Sequence, residues 1–469
     1  MKHSLLALVV AVAVCFVVGT AAQKLPGNHQ VPQASQAQAG PHNWVTPASS
    51  VARPEDAGHR VHTNWVFATA KGEVVKAPKA AVMGGASPLL TLGTSYETPS
   101  SMACIYKIPS NGNTSGCVPN FAAGTGGPQK GGWGAIAIVD AYDNPYAAYE
   151  LENFDSFWGL PAANFTQVYA NGNGSCSGAP PTDPGWGLEE SLDIEWAHVM
   201  APAAAIYLVE ACSNSLDDLT YAEYVAASIV SASGGGDVTN SWGSGEFSGE
   251  TAYDAYFGYY FPINISYFVS AGDDGCGAAY PSSSPWVVSA GGTTVYRNVK
   301  NNHFALEGCW TGSGGGTSSV ETYSTTFSAG SFTGPWANSQ YGIFGQGPRS
   351  TPDLAFNADP NSGVIVLDCA YYSGTCYFFE VGGTSVASPS LAGIVNNADN
   401  ALGVGHVNPA TGSGYYTSEE NNLLYSQLGA KSEYVKNFYD VTIGTNSCTV
   451  GKGWDYCTGV GSPRALIGK

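Results

Sequence analysis

The sequence predicts an α/β fold built on a mostly parallel sheet, on two observations. Four short apolar runs, "WGAIAIVDAY" (133–142), "AAIYLVEA" (204–211), "ISYFVSAG" (265–272) and "SPWVVSAGG" (284–292), lack the alternation of a half-exposed sheet. They fit strands buried on both faces. Between them lie helix-like segments, "EESLDIEWAHVM" (189–200) and "LDDLTYAEYVAASIVSA" (216–232). Strand alternating with helix is the pattern of a parallel sheet flanked by helices. Ligands in such folds sit beyond the carboxyl ends of the strands.

Taken in order, the chain opens on "MKHSLLALVVAVAVCFVVGTAAQ". Lys2 and His3 precede an apolar core from Leu5 to Val18, followed by small residues at Thr20 and Ala22. This is the layout of a secretory signal over residues 1–22, too short for a membrane span. Val14 stands before Cys15, so no small residue marks a lipid-anchor site. Residues 23–87 are rich in Gln, Ala, Pro and His without periodicity, and are expected to form a short pro-segment or flexible leader. Residues 88–469 then form the main domain. The product should be exported, secreted or extracytoplasmic, with no membrane attachment once the signal is removed.

Cysteine usage agrees with export. Of 11 cysteines, one lies in the signal and ten remain, none with zinc-ligand spacing. Short separations favour the pairs Cys104–Cys117, Cys369–Cys376 and Cys448–Cys457, with Cys176–Cys212 and Cys276–Cys309 completing the set. The formal charge is −19, from 17 basic and 36 acidic side chains, which argues against nucleic acid or anionic membranes as partners. On charge alone the plainer reading is a solubilised exported protein; acidic surroundings would also suit such a chain, because its carboxylates become neutral there. Sequons at Asn113, Asn164, Asn173 and Asn264 matter only in a host that glycosylates.

The chemistry centres on "FFEVGGTSVASPSLAGIV" (378–395). A Gly-Gly-Thr-Ser turn follows a strand-like run, so Ser385 stands near the first turn of a helix, where free N–H groups gather. A serine nucleophile needs a base. Histidine is the usual one. His3 lies in the signal, His29, His42, His59 and His62 in the leader, and His303 and His406 in polar turns or loops. His198 lies five residues past Asp193, on another helix face. Asp140 ends the strand "AIAIVD", but no His-Gly-Thr segment follows it, and it is expected to order its loop. Glu189 and Asp193 in "WGLEESLDIEW" (186–196) are four apart and share one helix face. Buried together they cannot both ionise, and the shared proton lets them accept one from serine in acid, where histidine is already charged. On a solvated helix the same spacing would carry no chemistry.

"GGTSVASP", "EESLDIE", "SAGDDG" and "DVTIGTN…GKGWDYCTGVGSP", in this order, resemble the sedolisins, the serine-carboxyl peptidases, over roughly residues 88–469. The resemblance implies a subtilisin-like α/β fold, a mostly parallel central sheet flanked by helices, with a C-terminal calcium-binding loop region. It implies hydrolysis of protein or peptide substrates in acid. Ser385 matches the nucleophile, Glu189 the base, Asp193 its partner, and Asp273 the neutral acid that donates to the oxyanion. Asp274 is its neighbour. "NSWG" (240–243) resembles the strand along which substrate backbone pairs. One structural Ca²⁺ is implied, held by Asp440, Val441, Gly451, Gly453 and Asp455, an all-oxygen set that suits that ion. The leader is shorter than the pro-domains of the family. A monomer is expected. Two alternatives stand beside the endopeptidase reading: a tripeptidyl-type exopeptidase with the same site, and an inactive binding protein on the same scaffold.

Overall fold

The computed structural model describes residues 38–39, 44–68, 75–76, 96–108, 131–257, 265–298, 303–322, 347–402, 417–429 and 431–466. The expected signal lies outside them. The strands used below begin with β1 (His62–Thr63) and β2 (Val66–Ala68), followed by β3 (Ala135–Ala141) and β4 (Asn164–Ala170). Next come β5 (Ala205–Ala211), β6 (Gly236–Asn240), β7 (Trp242–Gly245), β8 (Ile265–Ser270) and β9 (Val288–Asn298). β10 (His303–Cys309), β11 (Leu354–Asn357), β12 (Val364–Asp368) and β13 (Tyr377–Gly382) complete the set. The helices are α1 (Ala147–Trp158), α2 (Pro184–Met200), α3 (Leu216–Ala232) and α4 (Thr384–Leu402).

The central sheet runs β10-β9-β8-β6-β3-β5-β4, with β11 also pairing β9. Among the described residues its pairings are parallel, apart from the antiparallel β9–β10 edge. This is the subtilisin-like α/β architecture. The apolar runs follow from burial on both faces. In β3, Ile136 and Ile138 point into one core with Leu188, Leu192 and Trp196 of α2 and Leu391 and Ile394 of α4. Ala137 and Val139 point into a second core with Leu219, Ala226 and Val230 of α3. α3 has the bounds expected of it, whereas α2 begins five residues before the expected Glu189. Asp183 caps α2, accepting from the N–H groups of Gly185 and Trp186 at 2.9 and 3.1 Å, and Pro184 takes the first helical position, where no N–H is needed. At Gly393 a Cβ would lie 2.6 Å from that of Met200, so glycine permits the close approach of α4 to α2.

Residues 61–67, inside the stretch expected as a leader, are packed. Trp65 is fully buried and Phe67 nearly so. β2 pairs β13, the strand that runs into Gly383-Thr384-Ser385, and β1 pairs β7. Neither short strand has the length or alternation that would mark it in sequence. Asn164, one of the four sequon asparagines, opens β4.

Two expected disulfides form, Cys176–Cys212 and Cys369–Cys376. Two are corrected: Cys276 pairs with Cys448 and Cys309 with Cys457, across 172 and 148 residues. The cause is the fold. Gly444 bridges to Cys309 and the Cys276 N–H bonds to the Asn446 carbonyl, so the C-terminal loop lies against β10 and the 272–277 turn. Cys104 is also bonded, and its expected partner, Cys117, lies outside the described residues.

Candidate active site

Ser385 is the second residue of α4 and is fully buried. Gly383 makes the turn before it, with φ of +117°. The Ser385 hydroxyl donates to the Ser241 carbonyl at 3.2 Å and accepts from the Asn64 N–H at 3.2 Å. Pro389 lies four residues on and has no N–H for the Ser385 carbonyl, which the Ser241 hydroxyl reaches at 3.3 Å instead.

Glu189 and Asp193 lie on α2 with no exposed surface. Asp193 Oδ1 is 2.9 Å from the Ser241 hydroxyl, while Oδ2 has no hydrogen-bond partner among the described residues. The Glu189 carboxyl is pushed well up by burial first, then by the charges of Asp193 and Asp140; the nearby Ser385 hydroxyl offsets this in part. No donor reaches either Glu189 oxygen with full hydrogen-bond geometry among the described residues, so Ser385 is beside Glu189 without yet being bonded to it. Burial also raises Asp193 well above the carboxylate range, offset in part by the Ser241 hydroxyl and the nearby Glu189 carboxyl. Two such groups side by side retain a proton. Ser241 has one hydroxyl proton and two acceptors in reach. A proton on Asp193 resolves this, since Asp193 then donates to Ser241 and Ser241 to the Ser385 carbonyl.

Asp273 sits in the turn after β8, between Gly272 and Gly275, which have φ of +105° and +80°. The residue is partly exposed, but its carboxyl faces inward. Oδ1 accepts from the Thr384 N–H at 2.8 Å and hydroxyl at 2.9 Å; Oδ2 is buried with no partner among the described residues. Burial lifts the Asp273 pKa to about 8, against the two Thr384 bonds that lower it. Asp273 is therefore a neutral acid across the acid range, with Oδ2 as the free end. Asp274 is exposed.

His198 is not at this site. Its Nε2 lies 2.9 Å from the Pro161 carbonyl and 3.4 Å from Asp155. Burial lowers His198 to about 4 and raises Asp155 to about 7, so the contact is between neutral groups rather than ions. Asp140, expected to order a loop, instead lies against the carboxylate pair. Both its oxygens are buried without partners among the described residues, and its pKa is raised well above the usual range by burial, then by Asp193 and Glu210. Its place at the carboxyl end of a central parallel strand was the available signal. Ser241 and Asn64 carried none.

Asp440 and Asp455 converge on the 451–455 turn. The Gly453 N–H donates to Asp440 Oδ1 at 2.9 Å and the Gly451 N–H to Asp455 Oδ2 at 3.1 Å. Among the described residues no cluster of three or more His, Cys, Asp or Glu could hold a metal. The five expected ligands are of another kind, two carboxylates and three carbonyls. Their oxygens are donors of the kind a hard cation takes, while Asp455 here accepts from the N–H groups of Gly451, Cys457 and Thr458.

No family model matches the chain. Kumamolisin of Bacillus sp. is 28% identical over 366 residues, covering 71% of this chain and 58% of kumamolisin. Sedolisin of Pseudomonas sp. is 26% identical over 352 residues, 67% of this chain and 53% of that protein. The chain thus spans a little over half the length of these relatives. The solved structure of Pseudomonas sedolisin, a serine-carboxyl proteinase complexed with pseudo-iodotyrostatin, superimposes with a TM-score of 0.59 at 23% identity, covering 79% of this chain and 96% of that one. That likeness bears on the fold.

Proposed function

The chain belongs to the sedolisin family, and from that premise we propose that it is an exported, acid-acting serine-type endopeptidase. One observation carries the reading: a buried helix-start serine lies beside two buried carboxyls whose pKa values burial raises, with a third raised acid alongside and no histidine among the described hydrogen-bond partners of Ser385.

Ser385 Oγ attacks the scissile carbonyl carbon and gives its proton to Glu189. Asp193, steadied by Ser241, orients Glu189 and shares its proton. Glu189 then protonates the leaving amine, and water repeats the cycle in reverse on the acyl-enzyme. The oxyanion is received by the Ser385 N–H and by Asp273 Oδ2–H. One such donor is typically worth roughly 3–4 kcal/mol in the transition state. Bound at the Asp440–Asp455 turn, Ca²⁺ would hold the C-terminal loop closed through those carboxylates and the carbonyls of Val441, Gly451 and Gly453.

The same site serves a tripeptidyl-type exopeptidase, and the products separate the two readings. The expected partners are denatured or loosely folded proteins. Among the described residues no helix is long and apolar enough to cross a membrane. The test is to digest a denatured protein in acid and map the products by mass spectrometry. Internal cuts by the wild type and none by Ser385→Ala support the reading; cutting by both, or tripeptides alone, would refute it.

A further inference from the structure

Ser385 follows directly on β13, and one edge of that strand is taken by residues 66–67. The Asn64 carbonyl accepts from the Ser385 N–H at 3.0 Å, the donor assigned above to the oxyanion. From there the chain runs antiparallel to β13, Val66 opposite Gly382 and Phe67 opposite Val381. An extended peptide that adds to a sheet edge takes its register from backbone pairing. A substrate whose scissile carbonyl lies at Ser385 therefore sends its amine side along this same edge of β13. Residues 65–67 mark the path of the leaving half, and their side chains show what that path accepts.

Alternate residues of an extended chain share a face, so Trp65 and Phe67 point together. They point into rings. Trp65 lies edge-on to Tyr371, with centroids 6.3 Å apart. Phe67 lies edge-on to Tyr371 at 5.3 Å and to Phe379 at 5.7 Å. Edge-to-face contact at such separations is the favoured arrangement of aromatic pairs. Trp65 has no exposed surface, and its Nε1 has no hydrogen-bond partner among the described residues. Ring area, not a hydrogen bond, is what this pocket answers to.

The receiving rings are fixed by the β12–β13 hairpin. Tyr371 stands in its turn, which Cys369–Cys376 closes, and the Tyr371 N–H donates to Asp368 Oδ2 at 2.9 Å. Phe379 is buried in β13, with the Tyr372 ring stacked on it at 5.9 Å. Neither Tyr371 nor Phe379 belongs to residues 61–67, so a peptide in the place of that segment meets the same two rings.

We infer that the amine side of the cleft is an aromatic subsite, in which Tyr371 and Phe379 select substrates with an aromatic residue at the third position after the cut and, more weakly, at the first. This rests on the peptidase reading above. The third position touches both rings and the first touches Tyr371 alone, which sets the order of the two preferences. A ring contact of this kind is worth roughly twofold to tenfold in kcat/KM. Specificity is that difference between a substrate that makes the contact and one that does not.

The full chain digests a denatured protein in acid, and mass spectrometry maps the residues after each cut. Two synthetic peptides, identical except for Phe or Ala at the third position after the cut, are assayed in parallel. Aromatic residues should exceed their share of the substrate severalfold at the third position and less at the first. The Phe peptide should be cut with the higher kcat/KM, by a similar factor. Tyr371→Phe keeps the ring and should keep that ratio. Tyr371→Ala should lower it at least about twofold while the rate on the Ala peptide stays near that of the wild type, whereas a folding defect would lower both rates together. Digestion by the wild type with no aromatic excess at the third position would overturn the inference and leave the peptidase reading standing. So would a Tyr371→Ala enzyme with the wild-type ratio. Absence of any digestion by the wild type would instead defeat the peptidase reading.

Discussion

At the scale of single residues, Asp273 gives a signed expectation. Its pKa, about 8 instead of near 4, makes it a donor below that value and a repelling carboxylate above it. Asp273→Ala should lower kcat by about 10²–10³-fold, the usual loss for one oxyanion donor. Asp273→Asn retains a donor that does not titrate, so its residual activity should persist to higher pH than that of the wild type. Steady-state rates at several pH values check both. Ser385, Glu189 and Asp193 were singled out in the sequence for chemical reasons, and Asp273 through the resemblance alone. Asp140, Ser241 and Asn64 were not. Asp140 looks like any strand-end aspartate until its neighbours are placed, and Asn64 stands 321 residues from the serine it touches.

At the scale of elements, α2 depends on its start. Asp183→Ala removes the acceptor for two N–H groups and should cost about 1 kcal/mol, read as a lower melting temperature with the pH profile unchanged. The C-terminal turn gives a second expectation. If Asp440 and Asp455 hold Ca²⁺, a chelator should lower the melting temperature, and Asp455→Ala should both reproduce that loss and abolish any further effect of chelator. An unchanged melting temperature in both would remove the ion from the account. The long elements were legible from apolar runs and helix spacing. The short ones were not: β1 and β2 contain two and three residues, and partners on other strands, not their own sequence, define them. The same reason defeated two of the five expected disulfide pairings, since closeness in sequence says nothing of loops that a sheet brings together from 148 or 172 residues apart.

At the scale of the whole molecule, the interior is rich in carboxyls, with consequences beyond the site. Burial raises Glu150 and Asp155 to about 7, Asp254 to about 7, Glu250 to about 8 and Glu321 to about 9. Unfolded, such groups titrate near pH 4. A folded pKa above the unfolded one gives stability that is fully present below about pH 4 and lost as pH rises through about 7 to 9. His198 opposes this: held at about 4, it gives stability present above about pH 6.5 and lost as pH falls through its folded value. One histidine against many carboxyls leaves the net slope downward with rising pH. Thermal melts at fixed salt from about pH 4 to 8 should fall steadily, and a rise would contradict the burial of these groups as acids. The acidic composition was plain in the sequence, but which carboxyls turn inward was not. The most direct test of the central claim, a serine activated by carboxyls, is the pH profile of kcat/KM on a denatured protein for the wild type and Glu189→Gln. The account requires a maximum in acid that falls toward neutrality, and a loss of at least about 10³-fold in the variant at that maximum. A wild type most active near pH 8, or a Glu189→Gln enzyme close to wild-type rate, would contradict it.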